Sequence, residues 1–280
     1  MQINAKTNVL GLIGYPIGHS FSPQVHNFMS EYLDLDYTYL PFEVEAGNVE
    51  DAINGMRALN IKGINVTAPY KHEVVPYLDE ISDQAKVYGV VNTIKNVNGK
   101  LIGYNTDSDG LYMSILHRGG EIKDKDVLIL GAGGSARSTC VKFAQVGAKS
   151  ITVINRTQSK AQEIKEYVFK MCGYNTLYTE HVNDMYDVAV NTTSLGLYPK
   201  TEDCPMTDFS AMRNGSVAVD LIYNPSKTKF LSLAEDHGCK IINGLGMLIN
   251  QAVLAYEIFT DTKTDVKKMS TLIEHEVFGL

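Results

Sequence analysis

Cysteine is scarce in this chain. The four present in 280 residues, Cys140, Cys172, Cys204 and Cys239, are widely spaced and form no C-x-x-C pair. That argues against a zinc ribbon or a disulfide framework and fits reduced thiols in a cytoplasmic protein. None of the seven histidines falls at H-E-x-x-H spacing, so no metal is expected. Basic residues do not dominate either: 25 Lys and Arg stand against 32 Asp and Glu, a net charge of −7. A broad nucleic-acid surface needs a basic face, so that class of partner is not expected. No apolar run approaches the roughly 18–20 residues of a membrane span. The opening residues, Met1 to Thr7, lack the basic-then-apolar pattern of a signal peptide. There is no internal repeat and no Pro- or Ser-rich linker, so any domain junction must be short and structured.

What the chain does have is a glycine turn behind a buried strand. Val127, Leu128, Ile129 and Leu130 form a continuous apolar run, as in a parallel strand covered on both faces. Gly131, Gly133 and Ala136 follow at G-x-G-x-x-A spacing. The first glycine permits a tight turn, the second admits a pyrophosphate close to the backbone, and the small third residue lets helix and strand pack closely. The helix that opens there presents free N–H groups to a phosphate. A second apolar run, Ile151 to Ile154, completes strand, helix, strand within roughly thirty residues, as a βαβ unit requires.

The end of that second strand decides the cofactor. An NAD site places Asp or Glu there, on the ribose 2′-hydroxyl. This chain reads Asn155-Arg156-Thr157-Gln158-Ser159-Lys160, with no carboxylate. Arg156 can pair with a 2′-phosphate, Thr157 can donate a hydroxyl, and Lys160 adds a second positive charge one turn along. NADP, rather than NAD, is the expected cofactor.

Before this unit the pattern alternates: strand (9–14), helix from Ser22-Pro23, strand (38–44), helix (49–59), strand (63–67). Ser22 reads as the N-cap of its helix. Asn98-Gly99 between short strands is a hairpin turn, and a helix is expected over 107–116. Beyond residue 158 come a long helix (159–171), buried strands at 187–191 and 216–221, a last strand at 240–243 and two helices (247–259, 265–276). The fold class is α/β in two domains. The N-terminal α/β substrate domain, 1–107, is completed by the C-terminal helices, 244–280. A Rossmann-type dinucleotide-binding domain occupies 108–243.

A nicotinamide carries hydride, so the protein must supply a proton and hold the substrate. Ser20, Ser22, Asn65, Thr67, Asn92, Asp107 and Gln251 all fall at predicted strand ends or helix starts in the first domain and suit a polyhydroxylated ligand. Lys71 adds a cation, and a partly desolvated lysine held by a carboxylate can serve in acid–base work. Each also has a plain reading: Ser22 and Asp107 as helix caps, Lys71 and Gln251 as solvated residues, Met247 as core filling.

The motifs in order resemble the shikimate dehydrogenase family. They are Gly14-Tyr-Pro-Ile-Gly-His19-Ser20-Phe-Ser22-Pro, Asn65-Val-Thr67-Ala-Pro69-Tyr-Lys71, Val91-Asn92-Thr93, Asn105-Thr106-Asp107, the glycine turn, Asn155-Arg156-Thr157, Asn191-Thr-Thr-Ser194 and Gly244-Leu-Gly246-Met247-Leu-Ile-Asn-Gln251. The resemblance implies NADPH-dependent reduction of 3-dehydroshikimate to shikimate, in chorismate and aromatic amino acid biosynthesis. It implies that Lys71 and Asp107 are the catalytic pair. Ser20 and Ser22 would bind the substrate carboxylate, Asn65, Thr67, Asn92, Asp107 and Gln251 its hydroxyls, and Tyr223 would contact it from the nucleotide domain. The dinucleotide would meet Gly131, Ala132, Gly133, Gly134, Ser135, Ala136, Asn155, Arg156, Thr157, Lys160, Thr192, Leu221, Gly244 and Met247. Val90, Leu197 and Lys160 depart mildly from the family pattern, in packing or phosphate contact. Two other readings stay open: a quinate/shikimate dehydrogenase with relaxed choice of substrate or cofactor, and a non-catalytic regulator that binds dinucleotide and shikimate. A homodimer stays open beside a monomer.

Overall fold

The computed structural model describes residues 3–280; Met1 and Gln2, and the part of the leader reading that rests on them, lie outside the described residues. In chain order the elements are β1 (Asn8–Gly14), α1 (Ser22–Tyr32), β2 (Tyr37–Glu43), α2 (Val49–Ala58), β3 (Gly63–Val66), β4 (Glu80–Ile81), α3 (Asp83–Tyr88), β5 (Thr93–Val97), β6 (Lys100–Tyr104) and α4 (Asp107–His117). There follow β7 (Asp126–Leu130), α5 (Gly134–Gln145), β8 (Ser150–Ile154), α6 (Gln158–Cys172), β9 (Leu177–Tyr178), β10 (Tyr186–Asn191), β11 (Met212–Asp220), α7 (Lys229–Asp236), β12 (Lys240–Ile242), α8 (Leu245–Thr260) and α9 (Val266–Phe278). The chain divides into two compact units, Met1–Asp107 with Ile249–Leu280, and Ser108–Leu248.

The first unit is built on a six-stranded sheet in the order β2-β1-β3-β5-β6-β4. β1 runs parallel to β2 and β3, whereas β5 is antiparallel to both β3 and β6. The β5–β6 hairpin turns at Asn98 and Gly99, whose φ values of 53° and 89° are the left-handed pair a two-residue type I′ turn needs. Ile53 and Met56 of α2 pack with Ile13, Ile64 and Ile94 of the sheet in one apolar cluster. The C-terminal helices cover the same unit. A Cβ on Gly63 would lie 2.1 Å from the Phe259 ring of α8, so only glycine admits that ring against β3. Tyr256 donates to Ser30 Oγ at 3.0 Å, and the Phe278 ring of α9 meets that of Phe21 at 5.2 Å.

In the second unit the order is β12-β11-β10-β7-β8-β9, with every pairing parallel. Counted from β7 this is the 3-2-1-4-5-6 order of a Rossmann fold, and its direction reverses between β7 and β10. Leu128, Ala189, Met212, Phe230 and Leu231 pack as its core on one face.

The first unit takes up the chain again at Ile249, within α8. The opening turn of α8 is held where it starts: Gly244 N–H donates to Ile222 O at 3.0 Å, and a Cβ on Gly246 would lie 2.3 Å from Ser114 Oγ of α4. α3, α7 and the two-residue strands β4 and β9 are additions to the sequence reading.

Candidate functional site

In the first unit, β1, β3, β5 and α4 bring their ends together around a web of polar side chains. Lys71 Nζ lies 2.6 Å from Asp107 Oδ2, with both side chains partly buried. The other carboxylate oxygen accepts from Asn92 Nδ2 at 2.9 Å, and the same amide reaches Thr106 Oγ1 at 2.9 Å and Gln251 Oε1 at 3.5 Å. Asp107 is the first residue of α4, and its carboxylate holds both the lysine and the amide.

Asn92 is also fixed through its oxygen, which accepts from Thr106 N–H and from the Thr93 hydroxyl, both at 2.9 Å. Asn65 Nδ2 donates to Thr93 Oγ1 at 3.1 Å and to Asn92 O at 3.2 Å, and Asn65 Oδ1 accepts from the Tyr39 hydroxyl at 2.9 Å. Ser20 Oγ donates to Ser22 Oγ at 3.2 Å, a bond separate from the rest. One connected chain of hydrogen bonds thus runs from Tyr39 through Asn65, Thr93, Asn92 and Asp107 to Lys71. Thr67 follows β3, its N–H held by Ile13 O at 2.9 Å.

Two details correct the sequence reading. Ser22 is not a helix cap: Phe21 holds the N-cap position of α1 and no side chain caps it. The Ser22 hydroxyl accepts instead from Ser20 Oγ. The second detail is Tyr39 itself, which the sequence reading passed over. It is buried, and burial raises its phenol well above the ordinary value, so it remains a neutral hydroxyl. Its ring stacks on that of His26 at 4.1 Å and 7°. His26 is wholly buried, and neither ring nitrogen has a partner among the described residues. Burial lowers its pKa to about 3, so the ring is neutral.

In the second unit a cavity of about 280 Å³ lies at the carboxyl ends of β7, β8 and β10. Gly131 and Gly133 of the turn line it with Ala132; Asn155, Arg156, Thr157 and Lys160 line it after β8; Thr192, Thr193 and Ser194 line it after β10. Gly131 has φ +108°, and a Cβ there would lie 2.8 Å from Thr192 Oγ1, so glycine is required on both counts. α5 begins at Gly134 with no side-chain cap and no acidic residue in its first turn, which leaves its N–H groups to an anion. Among the described residues no carboxylate pairs with Arg156 or Lys160. The lining therefore suits a ligand that carries phosphate. Gly134, Ser135, Ala136, Leu221, Gly244 and Met247 are not in its lining. Tyr223 is half-buried in the loop after β11, and burial raises its phenol. Thr193 and Ser194, from the Asn191-Thr-Thr-Ser194 motif, join the lining beyond the residues the sequence points to.

Residues 12–94 match the family model described as the shikimate dehydrogenase substrate binding domain, 114–240 match shikimate / quinate 5-dehydrogenase, and 244–273 match the shikimate 5′-dehydrogenase C-terminal domain. A Methanococcus aeolicus relative named shikimate dehydrogenase (NADP(+)) is 44% identical over 277 residues, covering 97% of this chain and 99% of that one. The chain belongs to the shikimate dehydrogenase family. Among solved structures, a shikimate dehydrogenase in complex with NADP+ is 39% identical, with a TM-score of 0.90 over 99% of this chain and 98% of that one. The shikimate 5-dehydrogenase from Listeria monocytogenes, in complex with shikimate and NAD, is 32% identical, with a TM-score of 0.88 over 98% of each chain. Among the described residues no cluster of His, Cys, Asp or Glu could hold a metal ion, and no helix is long and apolar enough to cross a membrane.

Proposed function

We propose that the polar web of the first unit binds a small cyclic hydroxy acid and holds the acid–base pair, and that the cavity of the second unit binds NADP. The reaction is the reversible NADP-dependent reduction of 3-dehydroshikimate to shikimate, an oxidoreductase reaction at a CH–OH group (EC 1.1.1.25). When bound, NADPH supplies the hydride. Lys71 Nζ gives a proton to the oxygen of the ketone as it becomes an alkoxide, and takes it back in the reverse direction. Asp107 orients the amine and keeps a charge beside it; the two move one proton as a coupled pair.

Around that pair, Asn92, Asn65, Thr67 and Gln251 bond the ring hydroxyls, while the Ser20 and Ser22 hydroxyls face the carboxylate. Tyr223 would add a contact from the second unit. Arg156 and Lys160 meet the 2′-phosphate, Thr157 donates a hydroxyl, and the glycine turn and start of α5 receive the pyrophosphate. The free thiols at Cys140, Cys172, Cys204 and Cys239 fit a reducing, cytoplasmic setting.

The observation that carries this reading is the 2.6 Å contact of Lys71 with Asp107 inside a web that also holds Asn92 and Gln251. The test is one spectrophotometric grid: shikimate and quinate, each with NADP+ and NAD+. Shikimate with NADP+ should have the highest kcat/KM. No turnover of shikimate with either nucleotide overturns the proposal.

A further inference from the structure

Asn191 and Asp220 stand opposite each other as register partners at the carboxyl ends of the parallel strands β10 and β11. Both are fully buried. A buried carboxylate is costly unless it is paired, and Asp220 forms no ion pair among the described residues. Three groups donate to it instead: the Asn191 amide at 3.1 and 3.2 Å, Ile222 N–H at 3.0 Å and the Thr228 hydroxyl at 2.6 Å. Burial pushes its carboxyl above the usual carboxylate range, and these three bonds pull it back.

The bonds that leave this pair run into two loops. Asn191 Oδ1 accepts from both the N–H and the hydroxyl of Thr193, at 2.9 and 2.7 Å, and Asn191 Nδ2 also donates to Leu195 O at 3.2 Å. From the other side, Thr192 N–H and hydroxyl both donate to Leu130 O, the last residue of β7 before the glycine turn. The loop carrying Thr192, Thr193 and Ser194 is therefore clamped between β7 and Asp220, and it forms one wall of the dinucleotide cavity. Through Ile222 and Thr228, Asp220 also fixes the loop after β11. A hydrophobic pair would hold two strands together equally well, but it would leave both loops untethered.

We propose that Asn191 and Asp220 are positioning residues for the dinucleotide site, holding the Thr192–Ser194 wall at its distance from the glycine turn and Arg156. This rests on the reading of the cavity as the NADP site. NADPH affinity therefore depends on the pair although neither side chain lines the cavity.

The test is NADPH binding by fluorescence titration, without turnover, alongside thermal unfolding. Asn191→Asp sets two carboxylates against each other and should weaken NADPH about tenfold, the size of one lost hydrogen-bonded arrangement. The exchange N191D/D220N restores a donor opposite an acceptor and should recover most of that loss. Thr193→Val removes the hydroxyl bond to Asn191 Oδ1 and leaves the N–H bond, and should weaken NADPH about threefold with little change in Tm. If Asn191→Asp does not fold, Asp220→Asn, which like it lies outside the cavity lining, takes its place and should weaken NADPH by a similar factor. Wild type binding NADPH with all folded variants within twofold of it overturns this inference alone. Wild type failing to bind NADPH overturns the reading of the cavity as well.

Discussion

The two candidate sites are built on opposite plans. In the first unit the polar side chains bond to one another, so the web from Tyr39 to Lys71 is assembled before any ligand arrives. In the second unit the cavity is walled by backbone, hydroxyls and two cations with no carboxylate beside them. A prebuilt web suits a small ligand whose hydroxyls must each find one partner, because little side-chain ordering remains to be done on binding. Unpaired cations at the end of β8 suit an anion that brings its own charge. In the second unit the ordering lies one layer deeper, in Asn191 and Asp220.

The sharpest way to break this comparison is at Lys71. If the web is chemical machinery and not only a binding surface, Lys71→Ala should lower kcat by about 10²–10⁴-fold, with a much smaller rise in the KM for shikimate. Steady-state rates at saturating NADP+ read this directly. A rise in KM with kcat intact would make Lys71 a binding group.

The cation side of the comparison predicts a smaller, selective loss. Arg156→Ala should cut kcat/KM for NADP+ by roughly 10–100-fold, the worth of a hydrogen bond to a charged group, and leave that for NAD+ nearly unchanged. Equal losses with both nucleotides would mean that Arg156 does not read the 2′-phosphate.

The smallest effect concerns stability. The first web leans on the Tyr39 ring stacked over His26. In the folded chain His26 stays neutral down to about pH 3, whereas the unfolded chain takes up its proton near pH 6.5. The unfolded state then binds more protons, so this term lowers stability as pH falls from 6.5 toward 3, by about 1.4 kcal/mol per pH unit, and is flat above 6.5. His26→Phe keeps the stack and removes the titration. Denaturant unfolding between pH 8 and pH 5 should therefore show a shallower fall for the variant than for wild type, whatever the offset between them at pH 8. Parallel curves would sink the assignment.

Much of this molecule could be read locally. The apolar run at Val127–Leu130, the glycine spacing after it and the cations after Ile154 each carry their meaning within a few residues. So does the Asn98-Gly99 hairpin. The misses have a common cause. α3 and β4 are too short to show a period, and β9 is only two residues long. Ser22 satisfies every local rule for an N-cap, yet its hydroxyl bonds Ser20. Tyr39 itself reads as an ordinary strand residue, because the Asn65 that uses its hydroxyl is 26 positions away. Asp220 reads as the polar end of a buried strand until the Asn191 opposite it is known.

What the sequence determined by itself is therefore the longer elements and the chemistry available: two α/β units, a turn that admits pyrophosphate, a strand end that is basic where NAD would need an acid. Which polar groups meet was decided only by the tertiary structure. Lys71 and Asp107 are 36 residues apart, and Asn92 and Gln251 are 159 apart. No local propensity encodes such pairs. They form because burying the apolar faces of the sheet and of α8 closes those loops, and the polar ends are carried into contact by the packing behind them.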